Sequence, residues 1–305
     1  MATDRMTSKG LMTIFRLLGM ALLLALPAIA NADGHPLPMW QINGTSNRIY
    51  LLGSVHLLRE QDHPLPAAIE AAYEDADTLI MELDMDDIDP VATQALINDL
   101  GMIKGGGTLS ELMGADLYAE AAKIADEISI PLAMLSRTEP WLAAINIEQL
   151  ILTRIGFDAQ FGVERFLMSK AGIDGKEILG LETIEEQLGF LDSMSLDAQR
   201  SLLMQTLAES ADMEEIMDEL IAAWRHGDIE YLETNILAEM QEYPELYEAL
   251  VVARNRNWTQ QIEALLLDDQ DYLIIVGALH LIGEDGVPSM LRELGRESVQ
   301  MWQGE

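Results

Sequence analysis

The chain has 305 residues, with 52 acids against 18 bases, a formal charge of −34 and no cysteine. That much negative charge argues against nucleic acid or an anionic membrane surface as partner, since both repel it. The absence of thiols removes disulfides, thiol nucleophiles and thiolate metal sites, so any metal must be held by His, Asp, Glu or Asn.

At the N-terminus, Arg5, Lys9 and Arg16 precede the apolar run Leu17–Leu26, and Ala30-Asn31-Ala32 has the small-x-small form of a signal-peptidase site. The apolar run is too short for the roughly 20 residues that span a bilayer. Residues 1–32 are therefore expected to be a cleaved signal peptide, with residues 33–305 forming one exported domain, periplasmic or secreted. Their removal takes away three bases against one acid and moves the formal charge from −34 to −36. No later stretch is expected to enter a membrane.

Two short strands around the turn Asn43–Asn47 come first, Trp40–Gly44 and Arg48–Leu52, the second running on into Gly53-Ser54-Val55-His56. Pro64-Leu65-Pro66 opens a helix through Tyr73. The apolar strand Thr78–Leu83 follows, with Glu82 and Asp84 at its end. Strand, helix and strand in this order predict parallel strands that end at one sheet edge, where ligands bind in open α/β sheets.

Residues 89–130 read as helical, interrupted by Gly105-Gly106-Gly107, with Thr108 and Glu111 forming a capping box. The triple glycine lacks the following Lys-Ser/Thr of a phosphate loop. Ile130–Leu135 is expected to be a short strand, and Pro140 to start a helix reaching Ile155. Gly156–Phe166 is a loop leading into a helix, and Lys176–Thr183 a strand ending in Glu182. Residues 195–267 read as a helical insertion broken near Gly227-Asp228 and Tyr243-Pro244, serving as a lid, a homodimer surface or both. The strand Tyr272–Val276 then delivers Gly277 and His280, and Ser298–Trp302 closes the sheet. The fold class is α/β (α+β): a mixed central sheet, flanking helices and a large helical insertion.

Of the five histidines, His35 and His63 read as solvated and His226 as a helix-end cation. His56 and His280 differ because each follows a strand-end glycine in the pattern Gly-x-x-His. A buried carboxylate is costly without a cation or a metal, so Glu82 and Glu182 at the same sheet edge suggest a site shared with the two imidazoles. Asp84 ranks below Glu82. Arg254 could neutralise a carboxylate or steady an oxyanion, and helical spacing puts Asn257 and Trp258 on its face. Two His and a Glu can hold a divalent ion, which lowers the pKa of a bound water. A metal-free His–Glu hydrolase uses the same residues.

The segments Tyr50–His56 with Leu65-Pro66, Met81-Glu82-Leu83-Asp84, Gly162-Val163-Glu164, Gly180-Leu181-Glu182-Thr183 with Gln187, Arg254–Trp258, and Val276–Leu281 together resemble the TraB/GumN, or Tiki-like, superfamily in its bacterial exported branch. The resemblance implies an α/β fold similar to the erythromycin esterase and haem-binding lipoprotein group. Animal members look like metal-dependent proteases using manganese or cobalt. Carried over by motif, the site is His56, Glu82, Glu182 and His280, with Arg254 and Asn257. The expectation is an exported hydrolase, a metalloprotease, holding manganese, cobalt or zinc on His56, His280 and Glu82 and acting on a peptide or small molecule. The alternative is a protein that binds haem or another small ligand in the same crevice without turnover.

Overall fold

The computed structural model describes residues 35–302. The expected signal peptide, residues 1–32, lies outside the described residues. A six-stranded mixed sheet organises the chain: β1 Pro36–Asn43, β2 Arg48–Ser54, β3 Thr78–Leu83, β4 Glu177–Glu182, β5 Tyr272–Gly277 and β6 Ser298–Trp302. Their order across the sheet is β4-β3-β5-β2-β1-β6. The edge strand β4 and the inner strands β3, β5 and β2 are mutually parallel, while β1 runs antiparallel to both β2 and β6.

Alternation along the inner strands explains why they read as continuous apolar runs, since both faces are covered. Tyr50, Leu52, Leu79, Met81, Leu273 and Ile275 belong to one core cluster; their neighbours Ile49, Leu51, Ile80, Ile274 and Val276 belong to another. The second face is covered by the helix Ala253–Leu265, which lays Trp258 and Ile262 onto it. Glu82 continues the register of Ile80 and so leaves the sheet on that same face.

The expected hairpin, parallel strands and closing strand are all present. One reading is corrected. The segment around Ile130–Leu135 is no strand but ends in a short 3-10 turn, Leu132–Leu135, because Pro131 precedes a stretch with no neighbouring edge to join. The helical region from Leu196 packs into the main core through Leu203, Leu207, Ile221 and Trp224, and the Trp224 indole N–H donates to the Gly53 carbonyl at 2.7 Å. Among the described residues, no helix is long and apolar enough to cross a membrane.

The sheet register sets the site. Ser54 lies level with Gly277, and Met81 with Ile275. The three chain exits toward His56, Glu82 and His280 therefore leave one edge side by side. Gly53 permits this crowding, for a Cβ there would stand 3.0 Å from the Ala278 Cα.

Candidate functional site

Glu82 is the centre of the arrangement. Its Oε1 accepts the Gly277 N–H at 2.8 Å and lies 3.9 Å from both His56 Nε2 and His280 Nε2. Its Oε2 accepts from Arg254 Nη2 at 2.5 Å. Burial alone would raise this carboxyl, but His280, His56, Arg254 and the Gly277 N–H together outweigh it and hold the group at about 2. The His280 contribution needs a protonated ring and so acts only at low pH, for the reason that follows.

His280 is buried and neutral. Its Nδ1 donates to Asn255 Oδ1 at 2.7 Å, and its Nε2 accepts from Arg254 Nη1 at 3.1 Å. Asn255 can only accept there, because its own amide donates to the His280 and Asp285 carbonyls at 3.2 and 2.8 Å. Burial, reinforced by Arg254, lowers His280 to about 3. Trp258 packs against the ring at 4.5 Å between centroids and also underlies the Arg254 guanidinium at 4.6 Å.

Arg254 spends every N–H donor within this cluster. Nε donates to both Glu182 oxygens at 3.1 Å, Nη2 to Glu82 and Glu182, and Nη1 to His280 and to the Leu250 carbonyl. That carbonyl lies in a π-helical turn, Glu248–Val252, immediately before Arg254. Gln187 bridges the two carboxylates, reaching Glu182 at 3.1 Å and Glu82 at 3.3 Å. Glu182 is thus wholly engaged in fixing Arg254, although its burial raises it above the usual carboxylate range.

His56 forms the opposite wall. Its Nδ1 stands 2.8 Å from Glu164 Oε1, which also accepts the Ser54 hydroxyl. Glu164 lies in the first turn of the helix Val163–Asp174, and that helix is docked by the Val163 N–H on the Val55 carbonyl at 3.2 Å. The ion pair with Glu164 raises His56 to about 9. Its side chain is 56% exposed and borders an open space beside Glu82.

That space is a pocket of about 510 Å³ lined by His56, Glu82, Glu164, Arg165, Gln160 and Gln187, with Met81, Leu83, Met85 and Ala159 as its apolar wall. Neither Arg254, His280 nor any residue of the 195–267 region lines it. The helical region is therefore a support that delivers Arg254, and it does not roof this pocket.

The structure brings His56, Glu82, Glu182, Arg254 and His280 together but leaves Asn257 out. The buried positions of its helix are Arg254, Asn255, Trp258, Thr259 and Ile262. At about 100° per residue the centre of that face lies roughly 130° from Asn257, and Asn257 is exposed. Asn255 reaches the site instead, bonded to His280. Glu164 was also missed as a site residue; its signal was the Gly-Val-Glu segment, which reads as a helix start. Asp84 lines a neighbouring cleft with Asp87 and is raised by burial to about 6. His63 is half-buried, bonded to the Phe161 carbonyl at 2.8 Å, and His226 bonds the Ala222 carbonyl at 2.8 Å.

The donor chemistry suits a divalent ion. Both histidines anchor Nδ1 on an oxygen acceptor, as metal-holding imidazoles do, but the Nε2 lone pair of His280 accepts from Arg254 Nη1, and an ion there would have to displace that bond. Gly277 keeps the convergence point free, since a Cβ there would lie 3.4 Å from Glu82 Oε1 and from His56 Nε2. The spacing is that of an open set: 3.9 Å exceeds the about 3.4 Å between tetrahedral donors with bonds of about 2.1 Å. Among the described residues, no three His, Asp or Glu side chains stand close enough together to hold a metal ion.

The mixed sheet with its strand-edge cluster of two histidines and buried carboxylates defines an α/β protein with a polar crevice at the carboxyl ends of its parallel strands. The chain belongs to the TraB/PrgY/gumN family, whose model matches residues 38–299. The uncharacterized protein YbaP of Escherichia coli is 25% identical over 267 residues, covering 87% of this chain and 96% of the relative. An uncharacterized protein of Treponema pallidum is 24% identical over 270 residues, covering 83% and 80% of the two chains. No solved structure matches this chain.

Proposed function

We propose that the chain is an exported hydrolase acting on amide bonds of peptides or of small molecules at the His56–Glu82–His280 centre. One observation carries the reading: two imidazole Nε2 atoms stand 3.9 Å from the same Glu82 oxygen beside a pocket with an apolar wall. A divalent ion held by His56, Glu82 and His280 would supply a Lewis acid and a water of lowered pKa. The protein's own part is positional. Glu164 and Asn255 fix the two rings, Arg254 keeps Glu82 ionised in a buried setting, and Met81, Leu83 and Met85 exclude bulk water.

A metal-free version has its own support. Glu164 raises His56 to about 9, so at neutral pH the imidazolium can give a proton to a leaving group. Both versions are tested by metal analysis of protein purified without chelator, together with peptide hydrolysis by the unaltered chain, His56→Ala and His280→Ala, with and without EDTA. Activity abolished by EDTA and restored by one ion supports the ion-held site. EDTA-resistant activity lost in His56→Ala supports the acid–base site. No hydrolysis under any divalent ion sinks both, and a Soret band on adding haem that vanishes in the same variants would replace them with ligand binding.

A further inference from the structure

Arg165 follows Glu164 in the chain, lines the pocket and is exposed. Its guanidinium stands apart from the other arginines. Arg48, Arg59, Arg200, Arg256 and Arg296 pair with acids, Arg137, Arg154 and Arg225 hold backbone carbonyls, and Arg292 reaches a serine hydroxyl. Arg254 is enclosed by Glu82 and Glu182. Among the described residues, Arg165 alone of the arginines has neither an ion pair nor a side-chain hydrogen bond. In a chain with 52 acids and 18 bases, an unclaimed cation at the edge of the main pocket is a recognition element without its anion.

We infer that Arg165 receives a carboxylate, and that the pocket takes a ligand joining that carboxylate to an apolar body which packs on Met81, Leu83 and Met85. The guanidinium fork matches a carboxylate in two parallel hydrogen bonds, which a lysine cannot reproduce. Two sources share this chemistry: the C-terminal residue of a peptide and a free acyl carboxylate. The inference deepens the hydrolase reading, on which it rests for the identity of the pocket, by naming a free carboxylate as the recognised group. In the peptide case the action would be that of a carboxypeptidase.

The test is equilibrium binding, which needs no turnover. N-acetyl-L-leucine, N-acetyl-L-leucinamide and 4-methylpentanoate are titrated calorimetrically into the full chain in EDTA, so that no ion can capture the carboxylate. The same titrations are run on Arg165→Gln and Arg165→Lys, both at an exposed position where folding is safe. The expected result is about tenfold tighter binding of the acid than of the amide, a preference lost in Arg165→Gln and partly kept in Arg165→Lys. Weaker binding of 4-methylpentanoate than of N-acetyl-L-leucine assigns the peptide terminus; equal binding assigns the acyl carboxylate. Equal affinity for acid and amide, a preference that survives Arg165→Gln, or no detectable binding of the acid overturns the inference. Failure of hydrolysis with carboxylate binding intact sinks the hydrolase reading alone.

Discussion

Arg254→Met removes the cation while keeping an unbranched apolar stem. In the intact protein the guanidinium donates to Glu82, Glu182, His280 and a backbone carbonyl, with its side chain only 7% exposed. Breaking a buried pair by deleting one partner costs about 3–5 kcal/mol, which for a chain of this size is roughly a 10 °C fall in Tm. The loss should depend on pH. With Arg254 present, Glu82 is held at about 2, so its stabilisation is present above the unfolded value and disappears only as pH falls through the folded one. Without Arg254 the two buried carboxylates repel, and at least one folded pKa rises above its unfolded value. The penalty is then full at pH 8 and shrinks as pH falls toward that unfolded value. Urea denaturation at pH 8 and pH 5 measures the deficit, and the double variant Arg254→Met/Glu182→Gln should recover a large part of it at pH 8. A deficit below about 1 kcal/mol, or one equal at the two pH values, would refute the assignment of Arg254 as the charge that makes this site foldable.

Glu164→Gln should lower the His56 titration, followed by NMR, from about 9 toward its ordinary value. Because the folded pKa of His56 is raised, the stability it contributes is full below about 6.5 and lost as pH rises through 9; on so exposed a ring it amounts to about 1 kcal/mol or less. A His56 midpoint unmoved by the substitution would refute the pairing. Gly277→Ala should leave Tm nearly unchanged, since the added methyl meets its neighbours at 3.4 Å or more, yet abolish any ion binding or hydrolysis at the convergence point. Wild-type metal content and turnover in Gly277→Ala would place the chemistry elsewhere. Gly162→Ala should cost about 1–3 kcal/mol and also disturb His56, because a Cβ would sit 2.1 Å from the His56 carbonyl oxygen; urea denaturation and the His56 NMR signal check the two effects.

Much of the site was legible because strand ends announce themselves. An apolar run that stops at Gly-x-x-His or at Glu marks where the chain leaves a sheet, and parallel strands must all leave by the same edge. What the chain could not announce was the choice between near neighbours on a helix. Arg254, Asn257 and Trp258 share a face by spacing alone, but the actual buried face is centred further round, where Trp258 and Ile262 meet the sheet, and Asn255 falls on it instead. Glu164 was obscured for another reason. An acid in the first turn of a helix is favoured there by the macrodipole whatever else it does, and only the docking of that helix on the Val55 carbonyl reveals that this one faces His56.

Strand adjacency carries the rest of the argument. β2 and β3 are consecutive in sequence but not neighbours in the sheet, because β5 enters between them from the far end of the chain. That insertion places the Gly277 N–H against Glu82 Oε1 at 2.8 Å and fixes the oxygen midway between the two imidazoles. A sheet in which β2 paired directly with β3 would still gather His56 and Glu82 at one edge, but it would leave Glu82 without its backbone donor and His280 on the outside. The symmetry of the two 3.9 Å separations is thus a product of the crossover: the paired Gly-x-x-His segments mark one sheet edge, and the strand order sets the geometry within it.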